Sequence, residues 1–285
     1  MRVLSVGHCT LDHIAVVERF LEPDFKVEMS KFSVQGGGSA ATAITTLARW
    51  GVDSKFVGKV GSDTRGQQII STLTGETVDC EDMVVEDGAV SQFSFITVED
   101  GTGRKKTVYT RGNVSPLRAD EVDESVLDDI DYLLVDGQQS EAQLALSKAA
   151  RERDITVIFD ASSIEHGTGE LVENCDLVIA SERFASQFTG VGRLERICEV
   201  FLERGPGCAI VTLGDEGVVG MHSDEAQLHR VESHPVDVYD TTGAGDVFLG
   251  AMTYAMIHDW PFERSMRFAN TAAALSCRDI GGRGP

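Results

Sequence analysis

Asp246 closes the run Asp240-Thr-Thr-Gly-Ala-Gly-Asp246, and the residue types in that order suit phosphate chemistry. Gly243, Ala244 and Gly245 stand between the strand-like Val236 to Tyr239 and a segment of helical period. Glycines let a backbone turn tightly and aim amide N–H groups at a ligand, while the start of a helix adds positive potential. The three residues are therefore expected to form an anion hole. A carboxylate beside such a hole repels phosphate oxygens, so its presence needs a chemical reason. Asp246 can supply one by taking the proton of a hydroxyl as that oxygen attacks a γ-phosphorus. Read in isolation, the run is equally well explained by a turn followed by an Asp-capped helix.

A second cluster, Gln35-Gly36-Gly37-Gly38-Ser39-Ala40-Ala41, also opens a helix, and its small side chains allow close approach of a ligand or of the sheet. Two other phosphate motifs are excluded. A dinucleotide fingerprint would need glycine where Phe248 stands, and the Gly58-Lys59 pair is followed by Val60 rather than the Ser or Thr of a Walker A loop.

The elements that must position these residues alternate. Val3–Val6, Phe56–Val60, Tyr132–Val135, Thr156–Phe159, Leu177–Ile179 and Ala209–Thr212 are apolar runs of strand length ended by Gly, Asp or Ser. Helices are expected over Gly38–Trp50, Glu141–Arg153, Ala244–His258 and Phe262–Leu275. This order predicts an α/β fold with a mostly parallel sheet between two helical layers. Two stretches break the pattern: about 13–34, and 89–112 with strands on either side of Asp100-Gly101-Thr102-Gly103. They form either a small sheet standing off the main domain or an edge extension of the main sheet. The whole chain, 1–285, reads as a single domain with this appendage.

Composition narrows the partners. Against 46 acidic residues stand 25 basic ones, a formal charge of -21, so the average field opposes nucleic acid and anionic membrane surfaces. The six cysteines include no C-x-x-C pair and are expected as free thiols. The apolar run at the N-terminus is too short for a signal peptide, and no stretch of about 18 apolar residues occurs, which together predict a cytoplasmic protein.

With both glycine clusters in hand, Asp240-Thr-Thr-Gly-Ala-Gly-Asp-Val-Phe-Leu-Gly-Ala-Met252 resembles the C-terminal signature of the ribokinase-like (PfkB) carbohydrate kinases, and the likeness extends over essentially the whole chain. Gly37-Gly38, Gly61 and Asp63, Val211-Thr-Leu-Gly-Asp-Glu-Gly217 and Phe268-Ala-Asn-Thr-Ala-Ala-Ala274 also match. The resemblance implies a three-layer sandwich with a central sheet of about nine strands and a β-strand lid over the sugar. It implies ATP and Mg²⁺ as cofactors and a small sugar as acceptor, with Asp246 as catalytic base. It assigns Asp12, Gly37, Gly38, Ser39 and Thr42 to the sugar, and Ser181, Thr212, Gly214, Gly217 and Asn270 to the nucleotide. Asp240 and Thr242 would line a monovalent-cation site for K⁺, and the lid would pair two subunits as a homodimer.

Departures matter. Thr42 replaces an Asn that contacts sugar in the family, and Ser181-Glu-Arg-Phe184 lacks both ends of the metal-associated N-x-x-E pattern, which leaves Mg²⁺ to arrive with ATP and water. Ser181-Glu-Arg-Phe184 and Gly36–Thr42 look closest to the ketohexokinase and sulfofructose-kinase branches. Tyr109 and Gln138 fall where the latter uses polar and basic residues for a sulfonate; neither is cationic, so a sulfonated sugar is not favoured. The sequence ends at Gly281-Gly-Arg-Gly-Pro285, where relatives are expected to continue for a short segment. An ATP-dependent kinase acting on a ketose such as fructose is the leading expectation. A nucleoside or sugar-phosphate kinase, with Lys105, Lys106 and Arg111 as contacts for a substrate phosphate, is the alternative, followed by a non-catalytic sugar-binding regulator.

Overall fold

The structure, a computed structural model, describes residues 1–20, 23–225 and 227–284. Its strands and helices run β1 (Arg2–Val6), β2 (Thr10–Val17), β3 (Met29–Gly37), α1 (Ser39–Arg49), β4 (Asp53–Val57), β5 (Lys59–Gly61), α2 (Thr64–Thr74) and β6 (Val84–Glu86). Next come β7 (Phe93–Glu99), β8 (Lys105–Thr110), β9 (Tyr132–Val135), α3 (Ser140–Glu152), β10 (Thr156–Ala161), α4 (Thr168–Glu173), β11 (Leu177–Ser181) and α5 (Glu182–Thr189). The chain closes with α6 (Leu194–Arg204), β12 (Cys208–Thr212), β13 (Val218–His222), β14 (Leu228–Val231), α7 (Ala244–Ile257) and α8 (Phe262–Ser276).

An eight-stranded sheet in the order β14-β13-β12-β11-β10-β9-β1-β4 forms the middle layer, parallel from β4 to β12 and antiparallel at β13 and β14. Its central strands are apolar on both faces because helices cover both. Leu146 of α3, Phe184 of α5 and Phe201 of α6 pack on one face, and Ile44 of α1, Phe248 of α7 and Met266 of α8 on the other. The expected three-layer α/β architecture is present, with eight strands rather than about nine.

The lid is a second sheet, ordered β3-β2-β7-β8. Its outer pairs are antiparallel, but β2 and β7 run parallel, which a simple hairpin pattern did not predict. The expected lid segment 13–34 includes Leu21 and Glu22, which lie outside the described residues. Ile14, Val16, Ile96 and Val98 are buried under Ile280, while Phe32, Val34 and Val108 are exposed on the other face.

Two further expectations change. The run Phe56–Val60 divides at Gly58, after which β5 leaves the main sheet to pair with β6. Val236–Tyr239 forms no strand; the Tyr239 and Asp240 N–H groups both donate to the carbonyl of Cys277, at 2.7 and 3.1 Å, which ties this segment to the end of α8. Among the described residues no helix is long and apolar enough to cross a membrane.

The sheet order reverses at β1, whose neighbours β4 and β9 lie on opposite sides, and in open α/β sheets ligands gather at such a switch beyond the carboxyl ends of the strands. Asp136, directly after β9, fastens this point. Its carboxylate accepts from the N–H groups of His8 (2.8 Å), Ala40 (3.3 Å) and Gln138 (3.0 Å), and from Nε2 of Gln143 (2.9 Å). Asp136→Asn replaces one acceptor by a donor facing N–H groups. It is expected to lower unfolding free energy by about 1–3 kcal/mol, read from urea titration with the slope unchanged.

Candidate active site

Asp246 is the third residue of α7, preceded by Gly243 at φ 77° and by Ala244 and Gly245. Gly243 needs both its conformation and its missing side chain, because a Cβ there would collide with the backbone of Gly282. The three anion-hole residues and Asp246 line a cavity of about 660 Å³. Asp12, Ser94, Gly38 and Ser39 line it too, and the lid contributes Lys105, Tyr109, Thr110 and Arg111. His8, Gln138 and Glu165 complete its wall.

Asp12 lies within β2, not in a turn, and receives a short hydrogen bond from the Ser94 hydroxyl on β7. Its carboxylate rests against Gly37, where any Cβ would strike it. Burial raises the pKa of Asp12 above the ordinary carboxylate value, opposed by the Ser94 hydrogen bond and by the charges of Arg283, His8 and Lys105. Asp246 is raised as well, first by burial and then by the like charges of Asp12 and Asp136; the Ser39 hydroxyl and Lys105 work against the rise. A general base is most effective when its pKa approaches the working pH, and this displacement is in that direction.

Other expected residues fall elsewhere. Gly37 lies behind Asp12, and Thr42 does not line the cavity; its Oγ1 accepts from Arg283 Nε at 3.4 Å. Ser181 and Thr212 sit opposite each other at the ends of β11 and β12. The Ser181 hydroxyl caps α5 by accepting from Phe184 N at 3.3 Å. Gly214 and Gly217 bracket the tight turn into β13, and Asn270 Nδ2 donates to the carbonyl of Glu232 at 2.8 Å. None of these five lines the cavity. Asp240 is buried, accepting from Thr242 N (2.9 Å) and Gly281 N (2.8 Å), and the buried Thr242 Oγ1 has no hydrogen-bond partner.

Four groups at or around the site were missed. Asp136 and Asp160 each end an apolar strand, where α/β ligand sites concentrate, so their positions carried a usable signal. Lys59 is buried on the cavity wall between Ser115 Oγ (2.7 Å) and Glu121 (2.7 Å). Nothing local in the sequence marked Arg283.

The family model described as pfkB family carbohydrate kinase matches residues 1–285. An ATP-dependent ribose-1-phosphate kinase of Halopiger xanaduensis is 27% identical, covering 99% of this chain and 94% of its own. A ribokinase of Haemophilus influenzae is 24% identical over 97% and 92%. A crystal structure from Agrobacterium tumefaciens, 26% identical, superposes with a TM-score of 0.91 over 99% of this chain and 93% of that one. The chain belongs to the pfkB family of carbohydrate kinases, and is thus a carbohydrate phosphotransferase of ribokinase-like fold. These relatives do not single out the ketohexokinase branch.

Asp160 offers a test of the charge arrangement. Its carboxyl is pushed well above the ordinary value by burial and by Asp246 and Asp136. A group so raised contributes stability at low pH that is lost as pH rises through its folded pKa. Asp160→Asn is therefore expected to raise Tm at neutral pH, with the gain vanishing below the ordinary carboxylate range. A Tm difference independent of pH would contradict this.

Proposed function

We propose that the chain transfers the γ-phosphate of ATP to a hydroxyl of a small carbohydrate, with Asp246 removing the hydroxyl proton. The supporting observation is Asp246 at the start of α7, sharing one cavity with the anion hole and with Asp12. Asp12 accepts hydrogen bonds from acceptor hydroxyls and so orients the sugar. As the hydroxyl oxygen forms its bond to phosphorus, its proton passes to Asp246 and the bond to the ADP oxygen breaks. The amides of Gly243–Gly245 meet the charge that develops on the transferring group.

Mg²⁺, which keeps much of its hydration, would be carried on the ATP phosphates and water. Mg²⁺ supplies charge neutralisation of the β- and γ-phosphates. K⁺ fits beside Asp240, where the unpartnered Thr242 Oγ1 would gain an electrostatic partner and the cation would add positive potential behind the anion hole. The ends of β11 and β12, with Ser181, Thr212, Gly214 and Gly217, are the proposed nucleotide side. Asn270 shapes its wall, since its amide is committed to Glu232.

Asp246→Asn is expected to retain ATP binding while kcat falls by about 10²–10⁴-fold, measured by coupled ADP release. Turnover within a few-fold of the parent would remove Asp246 from the role of base.

The expectation of a ketose such as fructose gains no support from the named relatives, which act on ribose, ribose 1-phosphate and, in Geobacillus kaustophilus, 5-dehydro-2-deoxygluconate. Besides Lys59, which is paired with Glu121, the cavity wall carries two further cations, and these favour a phosphorylated pentose as a second reading. Among the described residues Lys105 Nζ donates only to the carbonyl of Thr241, at 3.3 Å, and Arg111 has its nearest carboxylate, Glu165, at 3.7 Å. Lys106 is not among them; its ammonium sits 4.5 Å from the Phe20 ring. Arg111→Ala should raise KM for ribose 1-phosphate about tenfold or more while changing KM for ribose little. Equal changes for both acceptors would exclude a phosphate contact at Arg111.

A further inference from the structure

Arg283 is buried, yet its guanidinium pairs with no carboxylate among the described residues. Its donors reach only Thr42 Oγ1 (Nε, 3.4 Å), Thr72 Oγ1 (Nη1, 3.4 Å) and the carbonyl of Gly37 (Nη2, 3.3 Å). Glu76, one of the carboxylates whose charge reaches it, is held instead by Arg49 at 2.6 Å. A buried, unpaired charge is costly, so its retention calls for a role.

Strand geometry shows where the charge acts. Successive residues of a strand face opposite sides, and a Cβ on Gly36 would strike the guanidinium while one on Gly37 would strike the Asp12 carboxylate. Asp12 and Arg283 thus lie back to back across two adjacent glycines of β3. Asp12 faces the cavity, and Arg283 lies behind it. The strand is gripped from the same segment: Gln35 Nε2 donates to Ile280 O (3.1 Å), and Gln35 Oε1 accepts from Arg283 N (3.0 Å).

We propose that Arg283 is a positioning residue for the sugar acceptor, holding Gly36–Gly37 against Asp12 and supplying the countercharge that keeps Asp12 an acceptor of sugar hydroxyls. This rests on Asp12 being the acceptor-binding acid. Burial pulls Arg283 down to about 10, and the carboxylate of Asp12 is the first charge opposing that fall. In turn Arg283 opposes the rise of Asp12, alongside Ser94, His8 and Lys105.

Steady-state kinetics of the full chain with ATP and the best acceptor found by ADP release separate this role from simple packing. Arg283→Gln keeps donors but removes the charge, and should raise KM for the acceptor by on the order of tenfold with KM for ATP within about twofold. Arg283→Lys restores the charge and should recover most of that loss, although both variants lower Tm. In an Asp12→Asn background, Arg283→Gln should add little, because the partner it serves is gone. Equal acceptor KM for the Gln and Lys variants, or losses that multiply in the Asp12→Asn background, would overturn the role of Arg283 while leaving Asp12 in place. An Asp12→Asn protein with unchanged acceptor KM would instead remove Asp12 from the sugar site, and the proposal with it.

Discussion

Four hydrogen bonds converge on the carboxylate of Asp136, and they join His8 in the turn after β1, the start of α1, the turn after β9 and the side chain of Gln143 in α3. Parallel strands end side by side, so their carboxyl ends present unpaired N–H groups that a single buried acid can gather. One side of the cavity hangs from this knot. Asp12 follows β1 by a few residues, the Gly38–Ser39 turn enters α1, and Gln138 leaves β9.

Charge is the second constraint, because the site holds more acid than it neutralises. Asp12, Asp160 and Asp246 are all raised by burial, and the acids act on one another. Lys105 descends from the lid edge and Arg283 approaches from behind, so the two cations come from elements that are far apart in sequence. A substrate bearing phosphate brings more negative charge into this field, and the amides of Gly243–Gly245 with the cations on the wall are the available counterweight.

The lid binds the chain's two ends into one assembly. Ile280 plugs its small apolar core, and Gln35 ties β3 to the backbone of Ile280 and Arg283. Because Gly282 packs against Gly243, the segment that steadies the lid also backs the anion hole.

The sequence by itself determined the layered α/β class, since alternating apolar runs and helical periods admit few other packings, and it located Asp246 behind its glycines because that chemistry is contiguous. It also marked the lid segments as exceptions to the alternation. Tertiary structure alone decided the rest. The parallel pairing of β2 with β7 joins residues about eighty positions apart, which no local pattern encodes. Val236–Tyr239 reads as a strand by residue type, but the N–H groups of Tyr239 and Asp240 are taken by Cys277, and hydrogen bonds outside any sheet override propensity. Thr42 reads in sequence as a sugar contact, and only the fold shows its hydroxyl accepting from Arg283. Arg283 itself is an ordinary arginine among glycines in sequence; only folding buries it behind Asp12, and a charge acquires such a role through what surrounds it in space.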